Sequence, residues 1–201
     1  FRQIHQIGLF IALPVQIQNN RNIHIKGAFM KKHKRASGVS TALSKTMANF
    51  ENGSPLIDAD AKQEYTIKIA NTLEEREAAF KLGYTTYLEK GYIKENPEER
   101  LLCEYDFNCE TVILIVQDKQ KNIAGTLTLV FDDALELPAN KVYHQELDFI
   151  KKSHQRNAEI CRFVINSAYR NSKEILVLLF NYTAIYINKV KNYDGLVIEV
   201  T

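Results

Sequence analysis

Two charged residues lie inside a short apolar segment, AEICRFVI, which spans residues 158–165 and has the pattern of a β-strand. A buried carboxylate or guanidinium costs several kcal/mol unless it is paired and hydrogen-bonded, so Glu159 and Arg162 need partners. Residues three apart in a regular strand point to opposite faces, but a β-bulge between them would restore a common face. Because bulges are frequent next to active sites, we expect both side chains to face one cleft. A structural ion pair and a strand with one face in solvent remain alternatives.

The composition excludes several classes of function. The chain has 201 residues, of which 45% are hydrophobic, and this suits one domain with an extension or two small domains. A formal charge of +2 is too small to indicate a nucleic-acid partner. The cysteines show no C-x-x-C spacing, which argues against zinc and redox sites and favours a reduced, cytoplasmic location. No P-loop or Ser/His/Asp set appears, no metal site is expected, and no apolar run approaches the roughly 18 residues of a transmembrane segment.

Residues 1–62 differ from the rest of the chain and are predicted to form an N-terminal extension with a basic linker. The stretch RNIHIKGAFMKKHKRASG contains six Lys or Arg and no acidic residue, which is typical of a solvated linker. The apolar stretch IGLFIALPVQI is short and interrupted by Pro14, and we expect a remnant of upstream sequence rather than a signal peptide. The turn-rich ENGSPLIDADAKQ leads into the predicted domain, residues 63–201.

The hydrophobic pattern of residues 63–201 predicts alternating strands and helices. A helix should begin at the capping box TLEE, formed by Thr72 and Glu75, and should end near Lys90 because Gly91 follows. Segments 111–117 and 123–131 should form a hairpin. The predicted order is strand YTIKIA, helix, these two strands, a helix with Tyr143, Leu147, Ile150 and His154 on one face, strand AEICRFVI, a helix over 173–190, and strand GLVIEV. This order predicts an α/β (α+β) fold, a mixed sheet with helices on both faces.

The order of elements resembles the acyltransferase fold of the GNAT superfamily. More specifically, residues 82–200 resemble the N-acyl amino acid synthases of the FeeM type, which are related to the acyl-homoserine-lactone autoinducer synthases. The matching motifs, in order, are LGYTTYLEKGYI, Asp106 after EY, AGTLTLVFDDALELP, YHQELDFI and AEICRFVI.

The resemblance implies an enzyme that moves a long acyl chain from an acyl-carrier-protein thioester to the amino group of an amino acid or related compound. Asp106, Glu159 and Arg162 fall on the family's polar positions. Glu159 is then the candidate general base, acting directly or through a water. Arg162 can hold Glu159, bind the acceptor's carboxylate bidentately, or do both, and Asp106 can orient the acceptor's ammonium group or Arg162. No tightly bound cofactor is required.

Three further residues are candidates for substrate binding: Tyr84, Tyr87 and Glu146. Phe80, Tyr84 and Tyr87 form an aromatic stripe at helical spacing, for which core packing is favoured over a pocket for an acyl chain. Glu146 is predicted to lie beside core positions, where a solvated or structural carboxylate is favoured over a catalytic one. For Cys161, between the two charged residues, a buried thiol is favoured over a nucleophile.

The sequence after AEICRFVI bears on the acyl donor. The resemblance implies a Gly-rich turn here in enzymes that use coenzyme A, whereas NSAYRNSKEIL (166–176) has no glycine. This favours an acyl-carrier-protein donor over acyl-CoA. The family pattern has Arg where this chain has Gly83 and Thr128, and it continues beyond residue 201, so we expect a C-terminally truncated chain. These departures leave two alternatives open: an acetyl-CoA-dependent GNAT acetyltransferase and a non-catalytic GNAT-fold binding or sensor module.

Overall fold

The computed structural model of the chain describes residues 9–19, 22–25, 29–32, 64–133, 135–152 and 156–200. The chain divides into two compact units. The first unit consists of residues 1–56, 132–159 and 184–201, and the second consists of residues 57–131 and 160–183.

The described residues form eight strands and three α-helices. The strands are β1 (Leu9–Asn19), β2 (Asn22–Ile25), β3 (Phe29–Lys32), β4 (Thr66–Ile69), β5 (Val112–Gln117), β6 (Ile123–Phe131), β7 (Asn157–Ile165) and β8 (Gly195–Val200). The helices are α1 (Leu73–Glu89), α2 (Asn140–Lys151) and α3 (Lys173–Ile185), the last of which continues into a π-helical turn, Tyr186–Val190. From β4 onward the order of strands and helices along the chain confirms the predicted order.

The core of the second unit is an antiparallel sheet of β4, β5 and β6, which the later part of β7 continues beside β6. The backbone N–H of Asn166, at the end of β7, donates to the oxygen of Ala124, at the start of β6, over 2.9 Å, so this pair is antiparallel as well. All residues of β5 from Val112 to Val116 are buried. Such a strand must be covered on both faces, as its continuous apolar sequence predicts.

Helices α1 and α3 cover the two opposite faces of this sheet. Ile113 and Ile115 point to one face, where they pack in a cluster with Phe80 of α1. Gly125 of β6 faces the other helix, since a Cβ atom there would lie 2.9 Å from Cγ2 of Ile175 on α3. The second unit therefore has the predicted arrangement of one sheet between helices.

Helix α1 begins and ends where the sequence predicts. The hydroxyl of Thr72 accepts from the backbone N–H of Glu75 at 3.3 Å, and the Glu75 carboxylate accepts from the backbone N–H of Thr72 at 3.4 Å. This is the predicted capping box, which satisfies N–H groups that the first turn leaves without helical partners. Gly91 follows the C-cap with φ of +71°, in the left-handed region that favours glycine.

The first unit holds a second group of strands, in the order β2, β1, β8 and the first residues of β7, and β3 also pairs with β1. Strands β1 and β8 are antiparallel, in register from Leu9 opposite Val200 to Pro14 opposite Gly195. The backbone N–H of Gly195 donates to the oxygen of Arg156 at 3.1 Å. Strand β8 thus starts beside the start of β7 and runs parallel to it, so the strand pairing is mixed as predicted.

Strands β1 to β3 fall within residues 1–62, which the sequence analysis assigned to an extension. Residues 33–63 lie outside the described residues, and they include the turn-rich segment. The domain boundary at 62 and 63 therefore stays a prediction. Because β1 pairs with β8, removing β1 from the chain can test this boundary.

Candidate active site

The guanidinium group of Arg162 is held by two acceptors in the second unit. Nη1 donates to the backbone oxygen of Leu101 at 2.7 Å, and Nη2 donates to Oδ1 of Asp106. The guanidinium carbon also lies 5.6 Å from the ring centre of Phe80, a cation–π contact. Burial by itself lowers the pKa of Arg162, but the nearby Cys161 side chain and the Asp106 carboxylate outweigh it and raise this pKa. Arg162 is therefore charged and fixed in position.

The two carboxylate oxygens of Asp106 serve different partners. Oδ1 accepts from Arg162, and Oδ2 accepts from the backbone N–H of Cys103 at 2.8 Å. The residue lies in a short 3-10 turn, Glu104–Phe107, whose backbone is further held where Arg76 donates to the oxygen of Asp106 at 3.2 Å. These bonds compensate the loss of hydration of a buried carboxylate. Of the two roles suggested for Asp106, this contact fits the orientation of Arg162.

The carboxylate of Glu159 is buried in the first unit, where the residue is only 2% exposed. Its Oε2 accepts from the backbone N–H of Ala139 at 2.8 Å. Burial raises the pKa of Glu159 to about 8, with the Ala139 hydrogen bond opposing the rise and the negative charge of Glu199 adding to it. A carboxyl group with this pKa exchanges its proton near neutral pH, which is the property that a general acid or base needs.

The two charged residues of β7 thus have separate partners. Glu159 binds a backbone amide of the first unit, and Arg162 binds a carbonyl and a carboxylate of the second. Each buried charge therefore has a hydrogen-bond partner, which offsets the cost of its burial. A common cleft for the two side chains stays a prediction.

A small cavity lies beside Arg162 in the second unit. Its empty volume is about 240 Å³, part of which is open to solvent. The lining residues come from α1, the sheet and the segment before Asp106: Ala79, Phe80, Gly83, Leu101, Ile113, Thr126, Thr128, Arg162 and Val164. Gly83 and Thr128, at which the resemblance implies arginine, are both among them. At Gly83 the helix and the Leu101 side chain approach closely, since a Cβ atom there would lie 3.3 Å from Cδ2 of Leu101.

Tyr84 and Tyr87 pack within the second unit. The buried Tyr84 accepts a hydrogen bond at its hydroxyl oxygen from the backbone N–H of Asn96 over 3.3 Å. The Tyr87 ring meets the Tyr92 ring edge-on with 5.7 Å between their centres, and burial raises the pKa of Tyr87. These contacts agree with the favoured interpretation of core packing. Of the aromatic stripe, Phe80 is the member that lines the cavity.

Glu146 lies on α2 in the first unit and is half-buried. It is close enough to Tyr143 to influence that residue, whose pKa is raised by burial, by Glu199 and by Glu146. The structure places Glu146 near a buried tyrosine, as expected of a carboxylate beside core positions. Substrate binding by Tyr84, Tyr87 and Glu146 stays a prediction.

Sequence reasoning missed two residues that hold the charged groups, Leu101 and Ala139. Both act through backbone atoms, which every residue type carries, so no side-chain pattern marks them. Among the described residues, no group of three or more His, Cys, Asp and Glu is arranged to hold a metal ion. Within the same ranges, none of the helices has the length and apolar character needed to cross a membrane.

Comparison with known proteins assigns the chain to a family. The model of the family described as N-acyl amino acid synthase FeeM matches residues 78–201, more than half of the chain. No curated protein sequence matches the chain. Among solved structures, FeeM, an N-acyl amino acid synthase from uncultured soil microbes, is similar with a TM-score of 0.56 and 22% identity, covering 67% of this chain and 70% of that chain.

A second solved structure, L-PGS from Bacillus licheniformis, has a TM-score of 0.42 and 14% identity, covering 95% of this chain and 44% of that chain. This similarity is too low to support an argument. The match to the FeeM structure shows that the fold is the GNAT-like fold predicted from the order of elements. With the family model covering most of the described part of the chain, the protein belongs to the FeeM family of N-acyl amino acid synthases, which are acyltransferases.

Proposed function

We propose that the protein transfers a long-chain acyl group from an acyl-carrier-protein thioester to the amino group of an amino acid or a related amine. The observation that carries this proposal is the buried Glu159 carboxylate, with its pKa raised to about 8 in a chain of an N-acyl amino acid synthase family. An amine must be neutral to attack a thioester, so the reaction needs a group that accepts a proton near neutral pH.

Glu159 acts as the general base. In its ionised form, the Glu159 carboxylate takes a proton from the acceptor's neutral amino group, directly or through a water, as the nitrogen attacks the thioester carbonyl carbon. A C–N bond forms, the C–S bond breaks, and the proton passes to the leaving thiolate. The backbone N–H of Ala139 binds Oε2 of Glu159, which leaves Oε1 as the oxygen that receives the proton.

Arg162 supplies a fixed positive charge for recognition of the acceptor's carboxylate. Leu101 and Asp106 occupy two of its five N–H donors. The remaining donors suit a carboxylate, but Asp106 already neutralises much of the charge, so we expect binding weaker than that of an unpaired arginine. Asp106 then sets the orientation of the guanidinium plane.

The segment after β7 supports a carrier-protein donor. Residues 166–176 contain no glycine, and the side chain of Asn166 accepts from the backbone N–H of Ala168 at 3.1 Å within the turn. A carrier-bound phosphopantetheine has one phosphate linkage and needs fewer free backbone amides than the pyrophosphate of coenzyme A.

A short acyl group from coenzyme A is the second candidate, favoured by the size of the cavity beside Arg162. The cavity is small, and the side chains of Phe80, Leu101 and Ile113 line it. A long chain bound there would require side chains such as Phe80 and Leu101 to move apart.

The test is product formation by the purified protein. Long-chain acyl carrier protein, long-chain acyl-CoA and acetyl-CoA are each incubated with a mixture of amino acids, and N-acyl products are identified by mass spectrometry. We expect long-chain N-acyl amino acids, formed fastest from the carrier protein. Acetylated products alone would favour the second candidate, and an absence of any product would favour the non-catalytic alternative.

The variant Glu159→Gln keeps the side-chain shape and removes the base. We expect it to lower the transfer rate by about 10²- to 10⁴-fold. Glu98→Gln is the matched control because Glu98 is exposed, so its rate should equal that of the unaltered protein. Equal rates for both variants would remove Glu159 from the mechanism.

A further inference from the structure

Two thiols of the second unit meet beside the arginine–aspartate pair. The backbone N–H of Cys103 donates to Oδ2 of Asp106 at 2.8 Å, and Asp106 binds Arg162, the chain neighbour of Cys161. The thiols of Cys103 and Cys161 interact through a hydrogen bond, and both residues are half-buried. Cys161 directly precedes Arg162 on β7. Cys103 belongs to the segment 101–106, whose two ends bind the Arg162 guanidinium. The two cysteines therefore lie on the same two segments, 101–106 and β7, that the Arg162–Asp106 ion pair connects.

The surroundings of Cys103 favour its reactive form. The hydrogen bond with Cys161 lowers the pKa of Cys103 to about 7, burial opposes this effect, and the positive charge of Arg162 adds to it. The lowered pKa raises the fraction of Cys103 that is thiolate near neutral pH, and the thiolate is the form that attacks disulfides. The third cysteine, Cys109, is exposed and serves as an internal comparison.

We propose that Cys103 and Cys161 form a site of reversible oxidation, at which a low-molecular-weight disulfide converts the two thiols into a protein disulfide. The Cys103 thiolate attacks one sulfur of the small disulfide, which forms a mixed disulfide and releases one thiolate. Cys161 loses its proton and attacks the Cys103 sulfur, which forms the Cys103–Cys161 bond and releases a second thiolate. The protein is oxidised by two electrons, and the small disulfide is reduced to two thiols.

The bond would fix the segment that holds Arg162. Leu101 and Asp106 bind Arg162 through non-covalent contacts, which local opening can break. A covalent link from Cys103 to the residue preceding Arg162 keeps those contacts together even when the rest of the unit loosens. It also closes a long loop of chain, which restricts the unfolded state. The oxidised protein should therefore unfold at a higher urea concentration than the reduced protein.

The experiment uses the full chain, reduced and then exposed to glutathione disulfide at pH 7.5. Remaining thiols are alkylated, and the peptides are mapped by mass spectrometry without reduction. We expect a Cys103–Cys161 cross-linked peptide, about two glutathione thiols released for each cross-link, and reversal by a dithiol reductant. The variant Cys109→Ser should give the same cross-link, and Cys161→Ser should stop at a mixed disulfide of Cys103 with glutathione.

Separate glutathione adducts on Cys103 and Cys161 that never resolve into a cross-link would overturn the proposal. A cross-link that includes Cys109 would also overturn it. Both results come from the unaltered chain, so they do not depend on the folding of any variant. None of these readouts depends on acyl transfer, so the site is tested independently of the proposed function.

Discussion

The side chains of Arg162 and Asp106 form an ion pair that is almost sealed from water, since they are 10% and 2% exposed. Removing one partner of a buried ion pair has a different effect on stability from removing one partner of a surface ion pair. Removing one partner leaves an uncompensated charge in a medium that solvates it poorly, whereas a surface charge simply returns to water.

We expect Asp106→Ala to lower the free energy of unfolding by about 3–5 kcal/mol, because it leaves the Arg162 guanidinium buried and unpaired. Urea unfolding followed by circular dichroism measures this loss. The double variant Asp106→Ala with Arg162→Met should recover part of the stability, since it removes the orphaned charge. The control is Glu89→Ala, which breaks the exposed Arg170–Glu89 contact of 3.8 Å and should cost less than about 1 kcal/mol. Similar losses of unfolding free energy for Asp106→Ala and Glu89→Ala would contradict this difference between buried and exposed ion pairs.

The ionisation of Glu159 should lower the free energy of unfolding as the pH rises. Its pKa in the folded protein is raised to about 8 from the ordinary value of 4.5, so between these values the folded state holds a proton that the unfolded state has released. The free energy of unfolding should then fall by up to about 1.4 kcal/mol per pH unit across this window and level off above it.

The variant Glu159→Gln cannot titrate and should lack this slope. The measurement is urea unfolding at several pH values from 5 to 9, with the difference between the two proteins plotted against pH. Taking the difference cancels most of the contribution of Glu199, whose pKa is also raised by burial. Parallel stability curves would mean that Glu159 is not protonated in the folded protein.

The glycines of β6 and α1 should respond differently to an added methyl group. A Cβ atom at Gly125 would lie 2.9 Å from Cγ2 of Ile175 and 3.2 Å from the backbone oxygen of Val164. We expect Gly125→Ala to destabilise the protein by about 1–3 kcal/mol, because α3 must shift away from the sheet. Thermal unfolding measures the loss.

At Gly83 the tight neighbour is instead the far end of a flexible side chain, Leu101, at 3.3 Å. Alanine also favours the helical backbone there by about 1 kcal/mol, so Gly83→Ala should leave the stability within about 1 kcal/mol of the original. A larger loss at Gly83 than at Gly125 would show that the packing around the two helices is not as described.

Deleting residues 1–62 should destabilise the protein if β1 contributes to the first unit. The deletion removes the strand that pairs with β8 from Leu9–Val200 to Pro14–Gly195, and each lost backbone hydrogen bond contributes roughly 0.5–1.5 kcal/mol. A shorter deletion, of residues 1–8, keeps β1 and serves as the control. Equal unfolding free energies for the two shortened chains would instead support the boundary at 62 and 63.

Local chemistry explains which parts of the fold could be predicted from the sequence. The Thr72 cap, the stop at Gly91 and the hairpin of β5 and β6 each depend on residues a few positions apart, whose side chains or backbone angles have one main structural use. The order of strands and helices followed from these signals and was confirmed. The strand β1 was not predicted, because its apolar sequence is interrupted by Pro14 and was assigned to upstream sequence.

The candidate site could be predicted only in part. An energetic argument required partners for Glu159 and Arg162, and the structure supplies them. Which backbone groups would serve was not predictable, since the amide of Ala139 and the carbonyl of Leu101 are chemically like any others. The contact of Cys103 with Cys161 depends on the folding of distant segments, so spacing along the chain gave no sign of it.

The burial of Val112 to Val116 in β5 determines how their backbone amides can reach solvent. Ile113 to Val116 are at most 1% exposed and lie beneath helices on both faces, so a loosened loop or frayed helix end still leaves them covered. Their backbone hydrogens can exchange with deuterated water only when a whole helix leaves the sheet or the unit unfolds. These amides should be among the slowest in the second unit to exchange, and their rates would report its global unfolding free energy.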